Sequence, residues 1–307
     1  MTPIAMQDGI DIDFTIGARR LLSVRCNLST WAFTLEDMLG GDPMRLRPET
    51  YGPDGLRVLS APSSAVDAIA AAYPKLILGA RQDFRRHFIA MDTTFEDYMA
   101  GFSSKTRSTF RRKGKRLAKK CGEYRVLEYR THKEIADFLD KALPLSAKTY
   151  QARQLDMGLP DTPADREKMV RDAEDDRMRC FILEVDGNAI SYLALPVVGR
   201  TLIYAHLGYD PEFGRFSPGT ILQLEALERL FAEQRFAYLD FTEGDGAHKE
   251  MFGTDSVPGS SFVLLEASLS NRALLASRSL FDASVGVARR LAERTGLLSR
   301  LRSALKS

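Results

Sequence analysis

The sequence predicts an α/β (α+β) fold: a mixed, mostly antiparallel central sheet with helices on both faces. Apolar runs of strand length alternate with longer helical patterns along the chain. The tripeptide Asp186-Gly187-Asn188 joins two such runs as a hairpin, which makes that part of the sheet antiparallel. A long amphipathic helix then separates two later strands, and this order of elements gives a mixed sheet.

The composition is that of an ordinary globular protein. Of its 307 residues, 44% are hydrophobic and 27% are charged, which suits one large or two modest domains. The formal net charge of +2 is too small to argue for a nucleic-acid partner, so no DNA is expected. The three cysteines lie far apart and form no CxxC or Cys/His cluster, so neither a metal nor a disulfide framework is expected.

The same features bear on location. Reduced cysteines fit the cytoplasm. The first residues, MTPIAMQDGIDIDF, contain acids and lack the basic region and apolar run of a secretory signal. No apolar stretch approaches the roughly 18 residues that a spanning helix needs. A cytoplasmic protein is expected, and peripheral attachment at the inner face of the membrane stays open as an option.

Residues 1–92 are predicted to form an N-terminal segment of short strands and helices. Strands are predicted where apolar and β-branched residues cluster, and helices where Thr or Ser precedes a helical pattern. Pro- and Gly-rich loops surround the middle strand. In order, the elements are the strand Arg20–Arg25, the helix Thr34–Leu39, the strand Leu56–Leu59, a helix from Ser63 or Ser64 to Tyr73, and the strands Lys75–Leu78 and Arg86–Met91.

Residues 93–268 are predicted to form the main domain. Amphipathic or charged patterns of 3.6-residue period indicate its helices, and short apolar runs bounded by turn residues indicate its strands. In order, the elements are the helix Ser103–Lys120, the strand Arg125–Tyr129, the helices Lys133–Tyr150 and Ala164–Met178, the strands Cys180–Val185, Ala189–Val198 and Leu202–Leu207, a long helix from Pro218, the strand Tyr238–Phe241, the short helix Ala247–Phe252 and the strand Phe262–Glu266.

Residues 269–307 are predicted to form basic amphipathic helices. Leucines recur at helical spacing, and basic residues far outnumber acids. A helix pair packed on the domain with a solvated basic face explains this pattern. An interfacial helix attracted to anionic lipid explains it as well, and the sequence does not separate the two.

The loop 214–220 is predicted to bind phosphate. It opens the long helix, so that N–H groups without an acceptor and the positive end of the helix dipole converge there. Pro218 suits the first helical turn because it has no N–H to leave unpaired, and Gly219 lets a ligand approach the backbone. Arg215 can add a bidentate phosphate contact. The alternative is a helix cap with no ligand.

Three blocks of the sequence together resemble the GNAT superfamily of acyltransferases, and more closely its CelD/BcsL-like and Fem-like branch. That branch is associated with envelope polysaccharide or peptidoglycan chemistry. The resemblance covers about residues 95–267, and residues 1–92 resemble a reduced N-terminal GNAT-like half. The blocks are Phe95-Glu96-Asp97-Tyr98 with the basic run from Ser103 to Lys120, Tyr209-Asp210-Pro211 with Ser217-Pro218-Gly219, and Asp240-Phe241 with Gly244-Asp245, His248-Lys249 and Phe252-Gly253.

The resemblance implies an acyl-CoA co-substrate. It places the pyrophosphate on the loop 214–220, although that loop departs from the usual glycine-rich consensus. It also implies that the strand 202–207 splays from its neighbour to admit the pantetheine arm. The residues implied to bind this co-substrate are Ala205, Leu207, Arg215, Ser217, Gly219 and Thr220.

Catalytic candidates follow the strand 238–241, where mixed sheets tend to place active sites. Glu243 can act as a base if its pKa is raised, or lie in a solvated turn; Asp245 suits a helix cap better. His248 titrates near neutrality, and Lys249 can stabilise an oxyanion or phosphate, although both can also be an exposed helix start. His206 lies among apolar residues and is more often a packed histidine than a base.

The basic run 105–120 carries a positive charge at about every second position and no acid, which destabilises a helix that has no anionic partner. A phosphorylated substrate, an acyl carrier protein, a tRNA acceptor stem and an anionic membrane surface are the candidate partners, with tRNA disfavoured because aromatic residues for base stacking are scarce. The residues expected to contact substrate are Lys105, Arg107, Arg111 and Tyr209.

The expected function is acyl transfer from a thioester, acyl-CoA being the expected donor, to an amine or hydroxyl of a small molecule, an envelope glycan precursor or a lipid. Aminoacyl-tRNA-dependent transfer of the Fem type, acylation of a long-chain lipid amine at the membrane surface, and a non-catalytic binding module are the alternatives. Fold alone does not decide among them, because function depends on the site.

Overall fold

The computed structural model describes residues 5–6, 10–16, 19–45, 47–153 and 158–294. The strands are β1 Ala5–Met6, β2 Ile10–Ile16, β3 Arg19–Cys26, β4 Leu28–Ala32, β5 Gly55–Pro62, β6 Leu76–Ala90, β7 Tyr124–Tyr129, β8 Met178–Val185, β9 Asn188–Val198, β10 Thr201–Ile203, β11 His206–Tyr209, β12 Tyr238–Asp240 and β13 Asp255–Glu266. The helices are α1 Leu35–Gly40, α2 Val66–Ala71, α3 Phe95–Ala100, α4 Ser104–Cys121, α5 His132–Arg153, α6 Pro163–Glu174, α7 Pro218–Ala232, α8 Ala247–Phe252 and α9 Leu269–Arg294.

The chain divides into two compact units, one formed by residues 86–256 and the other by residues 1–85 with 257–307. In the 86–256 unit the strand order is β6, β12, β10, β9, β8, β7, with β11 also paired to β9. β10 and β12 run parallel, and the other neighbours in this unit run antiparallel. This mixed, mostly antiparallel sheet confirms the predicted fold class.

Helices cover both faces of this sheet. Successive residues of a strand point to opposite sides, and a buried strand such as β8 carries apolar side chains on both sides. In β8, Phe181 and Leu183 pack in a core that also includes residues of α4 and α7. The intervening Cys180 and Ile182 pack in a second core with residues of α5 and α6. β8 is therefore buried on both sides, and each of its faces requires a helical layer.

In the other unit, β4 pairs parallel with β5, and β5 pairs antiparallel with β13. Its core includes Trp31, Val58, Ile69 and Phe262. β2 and β3 form a separate hairpin. The Thr34 side chain accepts from the Asp37 amide and begins α1, as a capping residue should.

Element predictions were wrong at β6 and at the end of α6. The strands predicted at Lys75–Leu78 and Arg86–Met91 are one strand, β6, whose polar middle, 81–83, is exposed and therefore resembled a loop. The helix predicted to reach Met178 ends at Glu174, and Met178 begins β8, where its side chain is 2% exposed. Burial in the sheet outweighs the helical pattern at this position.

The boundaries predicted after residues 92 and 268 stay predictions. In the predicted C-terminal helices, residues 295–307 lie outside the described part of the chain, and α9 accounts for the rest. None of the helices among the described residues is both long enough and apolar enough to cross a membrane.

Candidate functional site

The sheet of the 86–256 unit opens beside β10. The Tyr204 amide donates to the Asp240 carbonyl at 2.8 Å, which is the last bond to β12, and the Ala205 amide then turns back to Ile203 at 2.9 Å. β11 continues along β9 while β12 ends at Asp240. The segment 202–207, predicted as one strand, is therefore two strands with a break at 204–205, and the second edge of β11 is left unpaired among the described strands.

A cavity of about 550 Å³ occupies this opening. Such a volume lies in the range of small-molecule sites. Apolar and aromatic side chains line it together with a few polar groups. The lining residues are Ser146, Thr149, Gly158, Tyr192, Tyr204, Ala205, Leu207, Tyr209, Gly214, Ser217, Gly219, Thr220, Phe241, Thr242, His248 and Lys249.

The N-terminus of α7 forms one wall of the cavity. Ser217 adopts a left-handed conformation, with φ of 57°, and its side chain does not cap the helix. Pro218 stands at the first helical position, as predicted, so Gly219 presents the first helical N–H. A Cβ on Gly219 would lie 3.0 Å from the Leu207 side chain, so glycine keeps this wall close to β11 without crowding. The arrangement suits an anion held by backbone N–H groups.

Positive charge from α4 and from the turn before α7 surrounds this helix start. The Lys113 Nζ donates to Thr220 Oγ1 at 3.3 Å, and burial lowers the pKa of Lys113. The guanidinium groups of Arg116 and Arg215 lie 5.5 and 4.8 Å from the centroid of the Phe216 ring. A phosphate at the start of α7 would therefore meet Lys113 as a donor, the longer-range attraction of the two arginines and the helix dipole.

His248 lines the cavity and belongs to a hydrogen-bonded chain. Tyr204 donates its hydroxyl proton to Gln223 Oε1 at 3.0 Å, and the Tyr204 oxygen lies 3.3 Å from His248 Nε2. The Tyr204 hydroxyl therefore links His248 to Gln223, and a neutral imidazole keeps one nitrogen that can accept a proton. Burial, followed by the charges of Lys113 and Lys249, lowers the pKa of His248. The imidazole is therefore neutral at neutral pH and able to accept a proton.

Lys249 is held against the loop that follows β12. Its Nζ donates to the carbonyls of Thr242 and Glu243. Burial lowers the pKa of Lys249, and the negative charges of Asp240, Glu243 and Asp245 oppose that shift. A lysine with this surrounding presents a cation to the cavity at a fixed position.

A buried ion pair fixes the same loop. Asp240 is fully buried, and it accepts from Arg86 Nε at 3.1 Å and from Arg86 Nη2 at 2.6 Å. Its Oδ1 also accepts from the Thr242 amide at 2.8 Å, where Thr242 has φ of 61°. The carboxylate therefore stabilises a left-handed residue that lines the cavity.

Helix α5 fixes the far end of the cavity. Lys148 pairs with Asp210 at 2.8 Å, and Thr149 Oγ1 donates to the Tyr209 carbonyl at 2.7 Å. Asp210 also accepts from the Glu212 amide and caps the 3-10 turn Pro211–Phe216. Tyr209 thereby keeps a fixed position at the cavity wall.

The structure brings many of the predicted site residues together. The predicted residues that line the cavity are Ala205, Leu207, Tyr209, Ser217, Gly219, Thr220, His248 and Lys249. Those outside its lining are His206, Arg215, Glu243, Asp245, Lys105, Arg107 and Arg111.

The residues outside the lining have identifiable surroundings. Glu243 and Asp245 are exposed, and the N-cap position of α8 is Gly246, the residue after Asp245. Burial lowers the pKa of His206, whose neighbour Leu207 takes the cavity side of the strand. Arg107 donates to the carbonyls of Ala100 and Phe102.

Sequence reasoning missed Lys113, Tyr204 and Gln223. Lys113 could have been found from its place on α4, because it lies three residues from Phe110 and four from Leu117, both buried. No local signal identifies Tyr204 or Gln223, since their contact joins β10 to α7 across 19 positions of sequence. No group of three or more potential metal ligands occurs among the described residues.

Replacing Lys113 with Met is expected to raise the pKa of His248, because a neighbouring positive charge that disfavours the imidazolium is removed. The titration of the imidazole C–H signals by NMR measures this pKa directly. Lys115→Met, on the exposed side of the same helix, serves as the control and should leave the midpoint unchanged. An unchanged or lower midpoint in Lys113→Met would contradict the electrostatic account.

Comparison with known families agrees with the geometry. Residues 104–250 match the family model described as acetyltransferase (GNAT) domain. This match supports a transferase. Among curated proteins, none matches the sequence.

Solved structures are similar at low identity. The C-terminal domain of a protein described as a lysylphosphatidylglycerol synthetase from Agrobacterium fabrum is 12% identical with a TM-score of 0.50, over 74% of this chain and 72% of that one. FemX is 13% identical with a TM-score of 0.49, over 69% and 72%. L-PGS from Bacillus licheniformis is 12% identical with a TM-score of 0.47, over 73% and 72%. At such identities the similarity concerns the fold alone, and it rests on the first of these structures, with its TM-score of 0.50.

Proposed function

We propose that the protein is an N- or O-acyltransferase that takes an acyl group from a phosphopantetheine thioester, acyl-CoA being its simplest form. One observation carries this proposal: the break at 204–205 opens a cavity that joins the N-terminus of α7 to a neutral His248. A phosphate-binding end and a proton acceptor in one cavity are what transfer from such a donor requires.

The donor end is assigned to the α7 wall. Phosphate oxygens accept from the N–H groups of Gly219 and Thr220 and from Lys113, while the pantetheine arm lies along the unpaired edge of β11. Arg116 and Arg215 contribute longer-range attraction from beside Phe216. In this proposal, Lys249 stabilises the oxyanion that develops on the thioester carbonyl.

The reaction needs one proton acceptor. The acceptor nitrogen or oxygen attacks the thioester carbonyl carbon, the new N–C or O–C bond forms, and the C–S bond breaks. The unprotonated nitrogen of His248 takes the proton of the attacking group, and the resulting imidazolium returns it to the leaving thiolate. The products are an amide or ester and a free thiol. Positioning of the two substrates provides much of the acceleration, because thioester aminolysis is intrinsically easy.

The acceptor is proposed to be the amine or hydroxyl of an envelope glycan precursor or a lipid, in keeping with the resemblance to the CelD- and Fem-like branch. The chain's basic α4 helix also favours a second candidate, transfer from aminoacyl-tRNA. Acylation of a long-chain lipid amine is the variant of the first proposal in which the acceptor is taken from the inner face of the membrane.

Gly219→Val is expected to weaken acyl-CoA binding by about 10-fold, or about 1.4 kcal/mol, because its side chain must displace Leu207 from the cavity wall. Thermal unfolding with acetyl-CoA, hexadecanoyl-CoA, free CoA and aminoacyl-tRNA tests this. A ligand selective for the native state raises the unfolding midpoint by mass action. Gly40→Val is the matched control, since a Cβ at Gly40 meets nothing within 4 Å.

The outcomes separate the candidates. A midpoint raised by acyl-CoA in the wild type and in Gly40→Val, but less so in Gly219→Val, is the expected result. The relative shifts for acetyl-CoA and hexadecanoyl-CoA then indicate acyl chain length. No shift with any coenzyme A species, together with a salt-sensitive shift with aminoacyl-tRNA, would replace the first candidate by the second. No shift with any donor would favour a binding module that lacks activity.

A further inference from the structure

We propose that an exposed face of α4 docks an acidic acyl carrier protein, which delivers its phosphopantetheine thioester to the cavity. This inference rests on the proposed acyl transfer and names the partner that carries the donor. The surface, called the α4 cationic face, consists of exposed basic residues on one side of the helix. These are Lys105, Arg111, Arg112, Lys115, Arg116, Lys119 and Lys120.

The α4 cationic face has no counter-charge within the described part of the chain. α4 contains no acidic residue, and none of these bases forms an ion pair with a carboxylate of the described residues. Bases follow one another at i,i+4 in two rows, Arg111, Lys115, Lys119 and Arg112, Arg116, Lys120. Such like-charge pairs destabilise the helix in the free protein. A bound polyanion would reduce this repulsion.

The α4 cationic face is too long for a single nucleotide to neutralise all of its charges. From Lys105 to Lys120 the helix rises about 22 Å, at 1.5 Å per residue. The phosphates of one coenzyme A cluster at one end of the molecule and can neutralise only the bases nearest the cavity. The row Arg111, Lys115, Lys119 is left for a larger anionic partner.

The face ends where the cavity begins. Lys113 lies beside it on α4 and reaches Thr220 on α7, while Arg116 lies over Phe216 just before α7. In a phosphopantetheine attached to a carrier protein, a single phosphate joins the pantetheine arm to the protein. A carrier protein docked on α4 would place that phosphate at the start of α7 and send the arm along β11.

A carrier protein fits this face better than nucleic acid or lipid. The exposed residues of α4 are bases and serines, and Phe110 is buried, so α4 offers no ring for base stacking. It also offers no exposed apolar side chain for insertion into a membrane. Two rows of bases at helical spacing are complementary to the carboxylate rows of an acidic helix, and electrostatic docking of this kind is fast and salt-sensitive.

The test measures binding of fluorescently labelled hexadecanoyl-acyl carrier protein by anisotropy, with hexadecanoyl-CoA binding measured in parallel by calorimetry. The charge-reversal variant Lys115→Glu/Lys119→Glu removes two bases that do not line the cavity. Lys75→Glu/Lys133→Glu makes the same change of charge at two exposed lysines on other elements and is the matched control.

The expected result is at least a 10-fold higher Kd for the carrier protein in Lys115→Glu/Lys119→Glu, with the control and all hexadecanoyl-CoA affinities within twofold of wild type. Carrier binding should also weaken steeply between low and high salt. Absence of saturable carrier binding, or an unchanged Kd after charge reversal, would overturn the docking proposal. Intact hexadecanoyl-CoA binding in that case would leave the proposed function standing.

The same variant can also identify another partner. If Lys115→Glu/Lys119→Glu loses binding of tRNA or of anionic phosphatidylglycerol vesicles but keeps carrier binding, the docking proposal is overturned in favour of that partner. A wild-type protein that binds neither hexadecanoyl-CoA nor the carrier protein would overturn the proposed function together with the docking proposal that rests on it.

Discussion

His248→Gln is expected to lower kcat/KM for acyl transfer by at least about 100-fold, the effect of losing a positioned general base. Glutamine keeps a donor toward Tyr204 and a similar size, so the cavity should keep its shape. The substitution removes the imidazole. Among the described residues, it is the only titratable nitrogen group of the cavity lining that contacts Tyr204. Release of free thiol from the donor, followed at several pH values with an amine acceptor, measures the loss. The acid limb of the wild-type pH profile should vanish in the variant.

His206→Gln is the matched control for this experiment. Both imidazoles have a pKa lowered by burial, but only His248 lines the cavity. His206→Gln should therefore keep kcat/KM within about threefold of wild type, as for a residue that touches no reacting group. Equal losses in the two variants, or a His248→Gln enzyme with near wild-type kcat/KM, would remove His248 from the mechanism.

Asp240→Asn is expected to lower the free energy of unfolding by about 3–5 kcal/mol, because it removes the negative charge that pairs with the buried Arg86 guanidinium. Asparagine also weakens the bond to the Thr242 amide, so the loop that lines the cavity should loosen. Urea unfolding followed by circular dichroism measures the loss. Asp137→Asn, an exposed carboxylate with no ion pair among the described residues, is the control and should stay within about 0.5 kcal/mol of wild type.

The double variant Arg86→Met/Asp240→Leu sharpens this test. Removing both charges leaves no uncompensated ion, so the double variant should be more stable than Asp240→Asn alone. A double variant that is less stable than both single variants would show that the two residues contribute through separate contacts.

Local signals explain what could be predicted from the sequence. The place of Pro218 at the start of α7 depends on neighbouring residues, and Pro218 was found where expected. The helix layers were also predictable, since period and capping residues are short-range features. Ser103, for example, accepts from the Thr106 amide and begins α4.

Features that depend on distant partners could not be predicted. The segment around Tyr204 reads as one strand, because every residue in it suits a strand, and the break arises only where β12 ends at Asp240. β6 was divided in the prediction because its polar residues 81–83 resemble a loop, and Ala80, with φ of 50°, shows an irregularity there. Lys113 enters the site only through the packing of α4 near Thr220, 107 positions away.

The measurement that tests the central claim most directly is a crystal structure of the protein with coenzyme A. The account predicts phosphates within hydrogen-bond distance of the Gly219 and Thr220 amides and of Lys113, with the pantetheine arm along β11 and its sulfur in the cavity that His248 and Lys249 line. Coenzyme A bound at another site would contradict the account. So would an empty cavity in crystals grown at a coenzyme A concentration at which the protein binds it in solution.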